Sequence, residues 1–361
     1  MGELDVNQAV FNTSDKARAL WPSRTSANRL EPQSWPILQP RFQLEPGSRV
    51  FTIGSCFARE IERALADLGF EIPVFNFHRQ HPDLLAFEGI NALNRYTPPS
   101  IFQELSWTQK IMDRDDVVHQ DDVEPMLLEA GNGRVYDLTR VVAAEYGITR
   151  EQALIQRRSL YTLYRQAFNC EAVVITLGLI ECWKDIHTGL YVEYNRGILR
   201  NKNRFRFKRI DYVEALDYVE RAIDIINRDH YAKILLTTSP VPLTRTFTRD
   251  DVIVANTYSK SVLRAVAGAV AESRPNVDYF PSFENVMLSK DRQVWMDVLI
   301  HIEPSFIGSI MVRVTNSYAP DVARKSPIME MMYRVINLTN ACNWSQAQAE
   351  LRQMTVNDLP D

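Results

Sequence analysis

The chain has 361 residues, 45% hydrophobic and 24% charged, with a formal net charge of −4. Those proportions belong to ordinary globular proteins, and the length holds one large α/β domain with extensions or two smaller domains. The slight acidity argues against nucleic acid as the main partner, since phosphate binding needs a basic field, and no run reaches the roughly 20 apolar residues of a membrane span.

The first residues, Met-Gly-Glu-Leu-Asp, lack the positive start and apolar run of a signal peptide. Four cysteines, Cys56, Cys170, Cys182 and Cys342, show no metal-like spacing. A cytoplasmic protein with reduced thiols is expected.

Residues 1–48 are rich in Pro, Ser, Arg and Trp and read as an N-terminal arm, packed through Trp21, Trp35 and Pro36. Arg49 to Ile53 reads as a short buried strand. Phe57 to Leu68 follows with helical spacing at Ile61, Ala64, Leu65 and Leu68, and Gly69 stops it. Glu71 to Phe75 is expected as a second, shorter strand, and 105–150, mixed and polar, as an insertion or lid. A helix is expected over 150–168. Glu171 to Leu177 is a nearly continuous β-branched run, suited to a central parallel strand covered on both faces. Helix 212–229, strand 233–238, helix 252–273 and strand 277–280 complete a core domain over 49–318. The extension 319–361 is expected to be helical near 328–339 and 345–354.

This alternation predicts an α/β fold, a three-layer α/β/α sandwich with a mostly parallel, flavodoxin-like sheet. Its ligand site is expected at the carboxyl ends of the strands. Gly54-Ser55-Cys56-Phe57-Ala58 stands at such an end, between the first strand and its helix. A thiol there faces the positive end of the helix dipole, which favours the thiolate, and nearby backbone N–H groups can serve an oxyanion. Either Cys56 or Ser55 can be read as the nucleophile. The bland alternative is a cysteine packed at a tight turn, with Ser55 capping the helix.

With the strand ends aligned, further blocks fall into order: Asn94-Arg95-Tyr96-Thr97-Pro98-Pro99-Ser100-Ile101; Thr176-Leu177-Gly178 with Glu181 and Trp183; Ser239-Pro240-Val241-Pro242 with Asn256, Ser259, Lys260 and Leu263; and Tyr279-Phe280-Pro281-Ser282 with Glu284. With the pentapeptide, these blocks resemble the GSCFA family over about residues 40–315, a family similar to the SGNH/GDSL hydrolases. The resemblance lays Gly54 on the glycine of the hydrolases' Gly-Asp-Ser block, which puts Ser55 at the aspartate and Cys56 at the nucleophile. It implies a late histidine as base, met by His301, and an orienting acid, met by Asp297. The spacing here is Asp-x-x-x-His instead of Asp-x-x-His. On a helical turn that still places both on one face, with Glu303 as a substitute.

The resemblance also implies an oxyanion asparagine where this chain has Ile180. Backbone N–H groups of Cys56 and Gly178, or the Asn94 side chain, are its expected replacements. Glu181 is read as holding a substrate hydroxyl, positioning a loop, or pairing with a strand-end cation. His78, His81 and Asp83 form either a metal site or a polar loop, and no metal is expected. The run Tyr194 to Phe207 suits an anionic or sugar ligand, or a hairpin with an exposed basic face.

Two functions follow from the resemblance. The first is an acyl-ester hydrolase or O-acyltransferase acting through an acyl-enzyme on Cys56. Its substrate would be a small or carbohydrate-linked ester, with no cofactor beyond an acyl-coenzyme A donor. The second is a non-catalytic glycan-binding or regulatory module of polysaccharide metabolism.

Overall fold

Two short helices, α1 (Val6–Phe11) and α2 (Lys16–Ala19), lie in the arm of the computed structural model, which describes residues 3–24, 28–80, 92–140, 147–194 and 196–323. The chain continues through β1 (Val50–Gly54), α3 (Cys56–Asp67), α4 (Pro73–Gln80), α5 (Pro98–Arg114) and α6 (Gln120–Val123). The hairpin β2 (Leu127–Gly131) and β3 (Arg134–Asp137) precedes α7 (Arg150–Tyr164) and β4 (Ala172–Leu177). Then come β5 (Glu181–Asp185), β6 (Tyr191–Val192), α8 (Arg196–Arg200), β7 (Phe205–Arg209), α9 (Tyr212–Ile226), β8 (Lys233–Thr238), α10 (Val252–Ser273) and β9 (Val277–Phe280). Helices α11 (Ser282–Met287), α12 (Pro304–Tyr318) and α13 (Pro320–Ala323) close the described chain.

The main sheet has the order β1-β4-β8-β9, with β4 parallel to both β1 and β8. All residues of β1 and β4 are buried, which is why their sequences are apolar without alternation. Phe51, Ile53, Val173, Ile175, Ile234 and Leu236 share one core with residues of α5, α7, α9 and α10, while α3 packs against β1 and β4. The fold is the expected three-layer α/β arrangement with a mostly parallel sheet. Its helices begin where the sequence supplies caps, Thr97 on α5, Thr149 on α7 and Asp211 on α9.

Three expectations need correction. Residues 71–75 do not form a strand. Glu71 makes a single parallel bridge to Arg49, and Pro73, whose ring fits the first helical turn, starts α4. Much of 105–150 is regular, because α5 runs to Arg114 and a hairpin follows. The basic run after Tyr194 is also not a hairpin. It holds the short α8 and then β7, which pairs with β5 in a separate antiparallel sheet, β6-β5-β7.

A buried ionic network fixes the segment that leads into α5. Arg95 grips Glu104 at 2.7 Å, and Arg157 lies between Glu104 (3.4 Å) and Asp137 (2.6 Å). Each of these charges is satisfied by an opposite one, the condition for burying them.

The chain divides into two compact units, one of Gly47–Tyr279 and one built from the arm up to Pro46 with the residues from Phe280 onward. Within the second unit, Trp35 packs on Phe306 with ring centroids 5.3 Å apart, and Arg313 covers Trp35 at 4.8 Å. Trp21 is 78% exposed and contributes no packing of the kind expected of it. Among the described residues no helix is long and apolar enough to cross a membrane. His81, Asp83, Cys342 and the helices expected over 328–339 and 345–354 lie outside the described residues.

Candidate active site

The end of β1 is built around a glycine. Gly54 has φ +141°, and a Cβ placed on it would lie 2.2 Å from the Thr176 carbonyl oxygen of β4, so no side chain fits. Ser55 N–H donates to that same oxygen at 3.1 Å. Ser55 is the extended residue before α3, but its side chain makes no capping bond, so the capping role does not hold. Its hydroxyl is buried without a partner.

Cys56 opens α3, and its free thiol is half-buried. Burial pushes this thiol above its ordinary pKa. The charge of Lys260 opposes that, as do the helix-start N–H groups of Phe57 and Cys56.

The segment 94–97 crosses this strand end. Arg95 N–H donates to Gly54 O at 2.7 Å, and the Tyr96 carbonyl accepts from Gly178 N–H (3.0 Å) and Leu179 N–H (2.8 Å). Gly178 also sits too close for a Cβ, which would fall 2.8 Å from Tyr96 O and 3.1 Å from the Ser55 Cβ. The expected use of the Gly178 N–H for an oxyanion is therefore corrected: Tyr96 already occupies it. Fully buried Asn94 donates from Nδ2 to the Tyr96 hydroxyl at 3.1 Å. Burial, with the neighbouring Cys56, pushes that phenol up to about 12, so it keeps its proton. Ile180 points into the core, fully buried, and offers nothing to the site.

The third strand end adds Ser239 and the helix after it adds Ser259 and Lys260. Ser239 N–H donates to Leu177 O at 2.8 Å, and the hydroxyls of Ser239 and Ser259 are buried and unpartnered. Asn256 accepts from Leu243 N–H at 3.0 Å and so ties the intervening loop to α10. Lys260 is 1% exposed, and its Nζ donates to Gly178 O at 2.8 Å. Burial lowers its pKa to about 7, and the nearby Cys56 is the influence that opposes the shift. Sequence reading placed Lys260 in a block without giving it a role. The available signal was a lysine at helical spacing on a face with Asn256 and Leu263, where a solvated cation is out of place.

Glu181 positions a loop. Its carboxylate accepts from Thr246 Oγ1 (2.6 Å) and Phe247 N–H (3.0 Å). Phe247 belongs to an aromatic group with Trp183, Tyr194 and Phe207, with centroids 5.0 to 5.8 Å apart. Three basic side chains of this segment are in ion pairs, Arg204 with Asp185, Lys208 with Glu214, and Arg209 with Asp250. Arg206 donates to the carbonyls of Asn203 and Phe205, and Lys184 lies over the Tyr191 ring.

The structure thus brings Gly54, Ser55, Cys56, Asn94 and Gly178 together within the Gly47–Tyr279 unit and adds Tyr96 and Lys260 to them. His301 and Asp297 belong to the other unit, both exposed. They do not lie on a helical turn. Trp295 bridges Ile302, Met296 N–H donates to the His301 carbonyl at 2.9 Å, and Leu299 turns the loop with φ +54°. Asp297 and His301 therefore share no helical face. No group of histidine, cysteine and carboxylate residues suited to a metal occurs among the described residues.

The profile of the GSCFA family matches residues 49–313. No curated protein and no solved structure matches the chain.

Proposed function

Since the chain belongs to the GSCFA family, we propose that it is an acyl-ester hydrolase or O-acyltransferase that works through a covalent acyl-enzyme on Cys56. The observation that carries this reading is the setting of the thiol. It sits on the first N–H groups of a helix, at the carboxyl ends of parallel strands, within the field of a buried lysine. The thiolate attacks the ester carbonyl, the alcohol leaves, and a thioester remains. Water then gives hydrolysis, and a hydroxyl acceptor gives transfer.

Charge on the carbonyl oxygen needs donors. We assign the Tyr96 hydroxyl and the Cys56 N–H. The Tyr96 oxygen already accepts from Asn94, so its own proton is left to point elsewhere. A small or carbohydrate-linked ester is the substrate class, with an acyl-coenzyme A as alternative donor. Tyr194 and Phe247, each 37% exposed, offer ring faces to a sugar. That exposure also favours the second reading, a glycan-binding module without turnover.

A short-chain p-nitrophenyl ester distinguishes the two. The wild type is expected to release p-nitrophenol in a burst and to carry an acyl adduct on Cys56 by peptide mass spectrometry. Cys56→Ala is expected to lose both. Sugar binding without burst or adduct would leave only the binding module standing.

A further inference from the structure

Lys260 is buried on α10 without a carboxylate partner. Its Nζ donates to one carbonyl, Gly178 O, and among the described residues no Asp or Glu forms an ion pair with it. Lysines are rarely fully buried unless paired, so this placement is costly and calls for a compensating role. The groups facing it are few. Gly178, whose carbonyl accepts from Lys260 Nζ at 2.8 Å, lies so close to the pentapeptide that a Cβ on it would fall 3.1 Å from the Ser55 Cβ, which brings Lys260 to the strand end where Cys56 opens α3. The charge of each group acts on the other. Glu60 on α3 acts on Cys56 in the opposite sense, and Tyr96 is a protonated phenol. Two of the unit's imidazoles are engaged elsewhere, His230 with the Cys170 carbonyl, ahead of β4, and His119 with Asp115.

We infer that Lys260, rather than His301, is the proton acceptor and charge partner of Cys56. This rests on the acyl-enzyme reading given above. The step starts from the neutral amine and the protonated thiol. The thiol proton passes to Lys260, and the resulting thiolate forms the carbon–sulfur bond to the ester carbonyl. As the tetrahedral adduct collapses, the alcohol oxygen takes the proton back from the ammonium and leaves. The second half runs in reverse. Lys260 takes a proton from water or from an acceptor hydroxyl, whose oxygen attacks the thioester. The departing Cys56 sulfur then recovers the proton. Atoms and charge balance in each half, and the ester and the hydroxyl compound are the only reactants. A lysine whose ammonium is destabilised by burial suits both directions near neutral pH.

The test separates the lysine from the acyl reading by using two probes on the full chain. Iodoacetamide reads thiolate population at Cys56 against pH, and the p-nitrophenyl ester reads acyl transfer. Lys260→Met should slow alkylation at pH 7 by about tenfold or more and move its pH profile upward. It should cut acylation by roughly a hundredfold or more. Lys260→Arg can hold a thiolate by its charge but cannot take a proton from water, so it should retain alkylation and the p-nitrophenol burst and lose steady-state turnover. His301→Ala should match wild type in both assays. Unchanged alkylation and acylation in Lys260→Met, with a melting temperature showing that it folds, would overturn the assignment. So would a loss in His301→Ala as large as that expected for Lys260→Met. Lysine-dependent alkylation with no acyl adduct in any variant would keep the pair and overturn the acyl reading alone.

Discussion

Tyr96 illustrates how a side chain acquires a role from its neighbours. Its carbonyl is consumed by Gly178 and Leu179, and its hydroxyl oxygen by Asn94, so what it has left to offer is the phenolic proton. Tyr96→Phe is expected to fold, since only a hydroxyl is removed. It should lower the acylation rate by about 10²-fold, the usual effect of deleting one oxyanion donor, with the iodoacetamide rate at Cys56 little changed. Stopped-flow measurement of the p-nitrophenol burst checks this. The contrast matters because, in the proposed reaction, a donor to the oxyanion acts after the thiolate exists. At this scale the sequence was informative about Cys56, since a nucleophile after a strand-end glycine is a local pattern. It was silent on Tyr96 and on the fate of the Gly178 N–H. Both depend on a hydrogen bond between residues 82 positions apart, which no local pattern encodes.

Between elements, the site depends on how closely β1 and β4 approach. Gly54 pairs with Thr176 at the last rung of the ladder, where the backbone of β4 occupies the space of a side chain. Gly54→Ala places a methyl group against a carbonyl that cannot move aside, at a φ that an L-residue resists. Its expected cost is about 3 kcal/mol or more in urea unfolding, with loss of Cys56 acylation in the fraction that folds. The strands of this sheet were legible because β-branched runs buried on both faces carry an unambiguous pattern. Residues 71–75 showed the same apolar character. There Pro73, which cannot donate a ladder bond, decided for a helix, and periodicity over five residues was too short to reveal that. The helical turn expected at Asp297–His301 failed for a related reason. A spacing of four is meaningful only on a helix, and a bridge between Trp295 and Ile302 makes this segment a loop.

For the molecule as a whole, two buried groups set opposing trends of stability with pH. Burial raises the Glu62 carboxyl to about 7 from 4.5, although Thr52 donates to it and Arg59 lies 2.8 Å away. The folded state therefore binds more protons than the unfolded state between about 4.5 and 7. The contribution of Glu62 is complete below 4.5 and is lost as pH rises through 7. Lys260 shifts the other way, from 10.5 to about 7, so the unfolded state binds more protons over that window. Its contribution is present above 10.5 and is lost as pH falls through 7. Together they predict a stability minimum near neutral pH, with arms worth on the order of 3 kcal/mol on the acid side and about 5 kcal/mol on the alkaline side. Urea unfolding from pH 4.5 to 10 checks it. Glu62→Gln should flatten the acid arm and Lys260→Met the alkaline arm. The net charge of −4 gave no hint of this, because composition counts charges without saying which are removed from water.

Ile180 bears on which groups can meet an oxyanion here. It stands where the resemblance implied an asparagine, yet its side chain is committed to the core, while the neighbouring Gly178 amide is committed to Tyr96. Writing asparagine at 180 would strand an amide among apolar side chains and still leave that backbone donor occupied. In the proposed reaction, an asparagine at 180 and a Tyr96 hydroxyl are therefore alternatives that no single substitution exchanges, because the 94–97 segment and the core around Ile180 would have to change together.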